Sequence, residues 1–400
     1  MNILQLCNKP PYPPLDGGSM AMNSVTQGLL RAGHTVKVLC VESDKHPLRL
    51  APTDQPYVDQ TGIEAVHIDL AVKPLPAAVA MLCGESYNVQ RYRSTAFAQR
   101  LKDLLCANHY DIIHVESIFL TPYVSVIRKY STAPIVLRAH NVEHLIWRQM
   151  AACAHMGFKR SYLNHLALTL RAYEQEHVND YDGVMCITDI DADAFRQMGC
   201  RRPIVAIPFG IEPEQSPSVE AEPYSLFHIG SMDWRPNRQG VEWLMNKVWP
   251  EIHRVVPQAK LYLAGRKMPA KWMESKHDGI VMVGEVPDAV YFINSKQINL
   301  VPLLSGSGIR VKIIEAMAAG KVVITTSVGA AGIIAENGTH LLIADTANEF
   351  AQQVKHCFDH PEKMEEMSRM AQQLVAEQYN TTTLTQQMIT FYNKTMQSHE

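Results

Sequence analysis

The chain has 400 residues, 46% of them apolar, which suffices for two or three domains with real cores. A formal net charge of −3 gives no global basic footprint for nucleic acid, so none is expected as a partner. The longest apolar runs, PAAVAML from Pro76 and KVVITT from Lys321, fall far short of the ~20 residues of a membrane span.

In chain order, short apolar runs alternate with helical patterns. Ile3–Leu6, Val36–Val41, Ile112–Val115, Ile135–Leu137, Val184–Ile187 and Ile204–Ile207 read as buried strands. Between them, helices are predicted over Val25–Ala32 and Val89–Ala107, with one long helix from Glu143 to Asn179. Around Pro208 to Pro223 the texture becomes PFGIEPEQSPSVEAEP, proline- and glutamate-rich without a period, which reads as a linker. The alternation restarts with strands at Leu226–Ile229, Lys260–Ala264, Ile280–Val283, Ile298–Leu303 and Val322–Thr325, and a helix over Thr383–Met396 closes the chain. Two doubly wound α/β domains are expected, with ligands at the carboxyl ends of the strands and in the cleft between domains.

The eight cysteines contain no Cys-x-x-Cys, and Cys7, Cys40 and Cys186 lie in strand-like runs. Buried free thiols in the cytoplasm are expected rather than a disulfide or zinc scaffold. The start, MNILQLCNKP, shows neither the basic nor the apolar region of a secretory signal.

The stretch SGSGIRVKIIEAMAAGKVVITT, 305–326, concentrates the chemistry. INLVPLL before it reads as a strand, SGSG as a turn and IRVKIIEAMAAG as a helix that Gly320 stops. A glycine turn offers bare N–H groups at a helix N-terminus, where partial positive charge collects. Arg310 and Lys312 in that first turn oppose the helix dipole, which suggests a bound anion such as a diphosphate. Glu315, further along, would accept hydrogen bonds from sugar hydroxyls. The plainer alternative is a tight turn beside a solvated helix face, since G-x-G without a third glycine is a weak motif.

Two other patterns point elsewhere. His140, Glu143 and His144 in HNVEH match the H-x-x-E-H zinc protease pattern, but His140 ends a strand-like run, and zinc needs both histidines on one helical face. NKPPYPPLDGG after the first strand lacks the G-x-G-x-x-G of nicotinamide enzymes.

The sequence resembles the retaining glycosyltransferases of family four, which have the GT-B fold. The resemblance rests on PPYPPLDGGSMAMNSVTQGLLRAGHTVKVLC, LRAHNVEHLIW, YDGVMCITDIDADAF, HIGSMDWRPNRQGVEWL and VPLLSGSGIRVKIIEAMAAGKVVITTSVGAAGI, together with the final returning helix. It implies an α/β chain of two facing doubly wound Rossmann-like domains, the C-terminal helix returning to the first. The expected bounds are an acceptor-side domain over 1–212, a linker over 213–223, a nucleotide-sugar domain over 224–379 and the crossing helix over 380–400.

The same resemblance implies the site residues. Arg310 and Lys312 hold the leaving diphosphate, and His140 hydrogen-bonds the donor sugar. Glu315 binds the ribose, and Gly17 and Gly18 let the backbone approach a diphosphate or sugar. Gly230, Asn237, Arg266, Gly308 and Ile309 line the donor site, and Val286 lies near the base. Asp16 and Glu143 face the acceptor, although capping the next helix is the plainer role for Glu143. Ser307 stands where the family usually has a carboxylate. Ser231 follows Gly230, so the family's arginine and lysine at that strand end are displaced, and Arg310 and Lys312 are inferred to supply the diphosphate charge instead.

The implied reaction needs no metal and no cofactor beyond the nucleotide diphosphate-sugar donor, UDP being favoured over GDP. The acceptor is a saccharide or lipid-linked saccharide, as in surface polysaccharide or glycoconjugate synthesis. Peripheral contact with the inner face of the cell membrane could use Arg91, Arg93 and Arg100, or Lys159 and Arg160, while a solvated helix face is the alternative. An epimerase of the same fold and a catalytically silent binding subunit stay open, the latter because of Ser307. The oligomeric state is not indicated.

Overall fold

The computed structural model describes residues 1–152, 154, 157–211, 219–274, 277–305 and 308–399. It divides into two compact units, Met1–Gly210 with Thr381–Glu400, and Ile211–Asn380. Of the expected linker, residues 213–218 lie outside the described residues. Glu222, at its far end, is fastened to the second unit through Tyr262 (2.7 Å), Lys296 (3.1 Å) and Lys260 (3.2 Å).

In the first unit the strands are β1 (Asn2–Cys7), β2 (Thr35–Glu42), β3 (Glu64–His67), β4 (Ile112–Glu116), β5 (Ile135–Ala139), β6 (Gly183–Cys186) and β7 (Ile204–Ala206). They form one parallel sheet in the order β3-β2-β1-β4-β5-β6-β7. Side chains alternate between two buried faces, as a sheet covered on both sides requires. Leu4, Leu39, Ile113 and Leu137 pack with Phe97 and Leu101 on one face. Ile3, Val38, Ile112 and Val136 pack with Met22, Val25 and Met388 on the other. Each such side chain stabilises the fold by roughly 1.5–3 kcal/mol.

The second unit has β8 (Ser225–Ile229), β9 (Lys260–Ala264), β10 (Ile280–Gly284), β11 (Ile298–Val301), β12 (Val322–Thr325) and β13 (Leu342–Ile343). Its parallel order is β10-β9-β8-β11-β12-β13. Both sheets therefore have a switch point, at β1/β4 and at β8/β11, where connections leave in opposite directions; ligands of such sheets bind beyond the carboxyl ends there.

Several expectations need correction. The helix expected over Val89–Ala107 is two, Tyr87–Gln90 and Thr95–Ala107. That expected from Glu143 to Asn179 is also two, Glu143–Ala152 and Phe158–His177, and Gly157 before the second has φ +132°. Strands β3 and β13 were not anticipated. Cys7, Cys40 and Cys186 are buried free thiols, whereas Cys83 and Cys106 are exposed. No helix among the described residues is long and apolar enough to cross a membrane.

The C-terminal helix Thr381–His399 lies on the first unit and packs against the helix Gly17–Arg31. Gly28 permits this, because a Cβ there would fall 2.1 Å from Thr385 Oγ1 and 3.3 Å from Thr385 Cβ. Alanine in a helix interior normally gains about 1 kcal/mol over glycine, but overpacking costs about 1–3 kcal/mol. Gly28→Ala should therefore lower the melting temperature, and adding Thr385→Ala should restore much of the loss. A single mutant as stable as the wild type would contradict this packing.

Candidate functional site

At the carboxyl end of β8 the chain turns through Gly230, whose N–H donates to Ala264 O at 3.1 Å. Neighbouring Gly265 has φ +143°, and a Cβ there would lie 1.8 Å from Gly230 O. A Cβ on Gly230 itself would lie 2.6 Å from Lys312 Nζ and 2.8 Å from Asn237 Nδ2. A side chain at Gly265 would strike backbone, and one at Gly230 would displace the ends of Lys312 and Asn237.

Asn237, on the helix Arg235–Trp243, is buried and donates through Nδ2 to Ser231 O at 2.8 Å. Its Oδ1 accepts from Lys312 Nζ at 2.6 Å. Lys312 is the second residue of the helix Val311–Ala318, and Asn299, buried within β11, donates to its carbonyl at 3.5 Å. Arg310 does not lie in the first helical turn, as had been expected. It is the N-cap, its backbone extended at φ −90° and ψ 92°. Its guanidinium is buried and sits 5.5 Å from the centre of the Trp234 ring.

Two cations are therefore held in poorly hydrated surroundings. Burial brings Arg310 down to about 10. Burial, then the charge of Arg310, brings Lys312 down to about 7, with Glu315 opposing the shift. His228, fully buried, is pushed down to about 3 by burial and by Lys312, so its ring is neutral and donates from Nδ1 to Leu300 O at 2.8 Å. An anion arriving here would offset the lost hydration and the repulsion together.

The other expected donor residues are placed less tightly. Gly308 has φ +76° and Ile309 is half-buried, as is Glu315. Arg266 follows Gly265, and its carbonyl accepts from Met232 N at 2.9 Å. Val286 packs against Phe227, Ala264, Phe292 and Ile293, in an apolar cluster. Gly306 and Ser307 lie outside the described residues.

In the first unit, Asp16 caps the helix Gly17–Arg31: its Oδ1 accepts from Ser19 N at 2.9 Å, and Ser19 Oγ accepts from Asp16 N at 2.9 Å. Lys9 Nζ pairs with Asp16 at 2.5 Å and overlies Gly18, a Cβ on which would lie 2.8 Å from it. Burial alone would raise Asp16, but Lys9, Ser19 N–H and His46 bring it to about 2. Capping and ion pairing account for this carboxylate. Gly17 is the first residue of the helix.

His140 follows β5, with Nε2 2.7 Å from Glu116 Oε2. Glu143 does not cap the helix it begins. Glu174, from the helix Phe158–His177, does so, accepting from Glu143 N (2.8 Å), His144 N (3.3 Å) and His144 Nδ1 (2.6 Å). Burial and the charge of Glu174 raise Glu143 to about 8, so its carboxyl is protonated at neutral pH. The two histidines of HNVEH thus serve different carboxylates.

Sequence reasoning missed Glu116, Glu174 and His228. The first two are single charges in otherwise ordinary segments, and only the fold supplies their partners.

A model of Glycosyltransferase Family 4 matches residues 15–215, and a model of Glycosyl transferases group 1 matches residues 223–360. A relative from Klebsiella pneumoniae, an uncharacterized 44.6 kDa protein in the cps region, is 25% identical over 391 residues, covering 93% of this chain and 94% of its own. The fold is similar to that of Anabaena Alr3699/HepE in complex with UDP, at a TM-score of 0.65 and 14% identity over 98% of this chain and 100% of that one. It is also similar to sucrose-phosphate synthase (tll1590) from Thermosynechococcus elongatus, at 0.70 and 15% over 100% of both chains. With a family model matched over half its length and two parallel-sheet α/β units, the chain belongs to the glycosyltransferases, of GT-B fold, a Family 4 domain followed by a group 1 domain.

Proposed function

We propose that the protein transfers a sugar from a nucleotide diphosphate-sugar to a saccharide or lipid-linked saccharide, with retention of anomeric configuration. The observation that carries this is the cation pair of buried Arg310 and half-buried Lys312, set beside the bare backbone of Gly230 at the β8/β11 switch point. The C1–O bond to the diphosphate breaks as negative charge builds on the bridging oxygen, where two preorganised cations stabilise it. The acceptor hydroxyl bonds to C1 from the same face and gives its proton to the departing phosphate. Positioning and electrostatics supply the catalysis, and no metal or further cofactor enters the scheme. Glu315 takes the ribose hydroxyls, and His140 a sugar hydroxyl.

UDP is favoured as the nucleotide, in keeping with the UDP complexes of HepE, and a surface-polysaccharide role in keeping with the relative in a cps region. Contact with an anionic membrane surface belongs to the same reading. Leu75, Val79 and Leu82 stand exposed at helical spacing on Pro74–Cys83. Residues 144–173, part of which pack with that helix, include Arg148, Lys159, Arg160 and Arg171 but no Asp or Glu. Arg100 is not available for this purpose, being paired with Glu64 at 2.5 Å.

Arg310→Ala and Lys312→Ala should each lower turnover of a UDP-sugar by ~100-fold or more. Calorimetry should show weaker UDP binding with little change for uridine, which lacks phosphate. Equal losses for uridine and UDP would show that the pair does not read the phosphates.

A second prediction concerns stability. Lys312 is lowered to about 7 in the folded chain from an ordinary value of 10.5. Between those values the unfolded chain holds the proton that the folded chain has lost, so this group makes stability rise with pH across that window. Lys312→Met should raise the melting temperature at pH 6.5, and the gain should shrink by pH 9.5. A gain that is constant or grows with pH would contradict the burial of this charge.

A further inference from the structure

We propose that Glu116 is a positioning residue that fixes His140 as its Nε2–H tautomer and leaves Nδ1 as a hydrogen-bond acceptor. Glu116 ends β4, beside Cys7 of β1 in register, so it stands at the β1/β4 switch point of the first unit. Its side chain is fully buried and receives three N–H groups. Oε1 accepts from Gln5 Nε2 and His114 Nε2, each at 2.9 Å, and Oε2 accepts from His140 Nε2 at 2.7 Å.

An ionised carboxylate is acceptor-only, so the histidine nitrogens that face it carry the protons. Burial favours the neutral acid, but His114 and then His140 hold Glu116 well below the usual carboxylate range. Arg138, fully buried on the next strand, supplies counter-charge, with Nε 3.9 Å from Oε2, while its Nη2 donates to Pro208 O at 3.3 Å. The far side of the network is also closed. Gln5 Oε1 accepts from Thr26 Oγ1 at 2.6 Å, which orients the Gln5 amide with its nitrogen toward Glu116. His114, giving Nε2–H to Glu116, has only Nδ1 left, and Tyr392 of the C-terminal helix donates to it at 2.7 Å.

The donors thereby converge on the carboxylate, from Tyr392 through His114 on one side and from His140 on the other. His140 is the only one of the three partners with an appreciable part of its side chain exposed, 19% against 0% for His114. A neutral Nε2–H ring presents a lone pair at Nδ1, suited to receive a hydroxyl proton in a hydrogen bond. That this hydroxyl belongs to a sugar rests on the function proposed above; the tautomer does not.

Long-range 1H–15N spectra of the histidine-labelled full chain at pH 8 read the tautomer directly, with His140→Asn assigning the signal. The wild type should show His140 with a protonated Nε2 and a pyridine-like Nδ1, and Glu116→Gln should lose that preference to a mixture of both tautomers. A wild-type ring that is Nδ1–H or doubly protonated overturns the proposal, as does a Glu116→Gln spectrum identical to the wild type. The wild-type spectrum alone decides the matter if Glu116→Gln does not fold. Because no nucleotide or acceptor is used, this result is independent of whether the chain transfers sugar.

Discussion

The hydrogen bond between Lys312 and Asn237 is the contact around which the candidate site of the second unit is arranged. It brings a helix that follows β11 against a helix that follows β8, at the switch point of the sheet. Gly230 leaves room for the ends of both side chains, and Gly265 lets its strand end pass directly against the backbone of Gly230. The result is a cation held where water is scarce, with a second cation, Arg310, beside it. Such a site is costly in the folded chain without an anion, since a buried charge loses hydration and like charges repel. Strain of this kind is expected where binding, rather than stability, is the selected property.

The first unit treats charge in the opposite way. Glu116 is a buried anion that accepts from Gln5, His114 and His140, with Arg138 as counter-charge. A satisfied buried network of this type specifies one arrangement of its members. Tyr392 ties the C-terminal helix into it, so that helix both covers an apolar face and closes a polar one.

The sequence made most of the sheets legible because doubly covered parallel strands are unbroken runs of Ile, Val and Leu. β3 escaped notice because EAVH is half-buried and carries a charge at one end and a histidine at the other, and β13 because two residues show no period. The long helical pattern beyond Glu143 concealed a break, since amphipathic spacing continues on both sides of it while Gly157 turns the backbone away. The two cations at the start of the helix were legible from the local sequence pattern. Their partners were not, because Asn237 lies 75 residues from Lys312 and nothing local joins them. The capping role read for Glu143 fails for the same reason: its helix is capped by Glu174, 31 residues away.

The central claim is that Lys312 has largely lost its proton in the free protein at mildly alkaline pH and regains it when a diphosphate arrives. Calorimetry of UDP binding at pH 8, in HEPES and in Tris, measures this through the dependence of the heat on buffer ionisation. With Lys312 at about 7, wild-type protein should take up close to one proton per UDP. Lys312→Met should take up none beyond the ligand's own. Binding without proton uptake, or uptake that persists unchanged in Lys312→Met, would contradict the account.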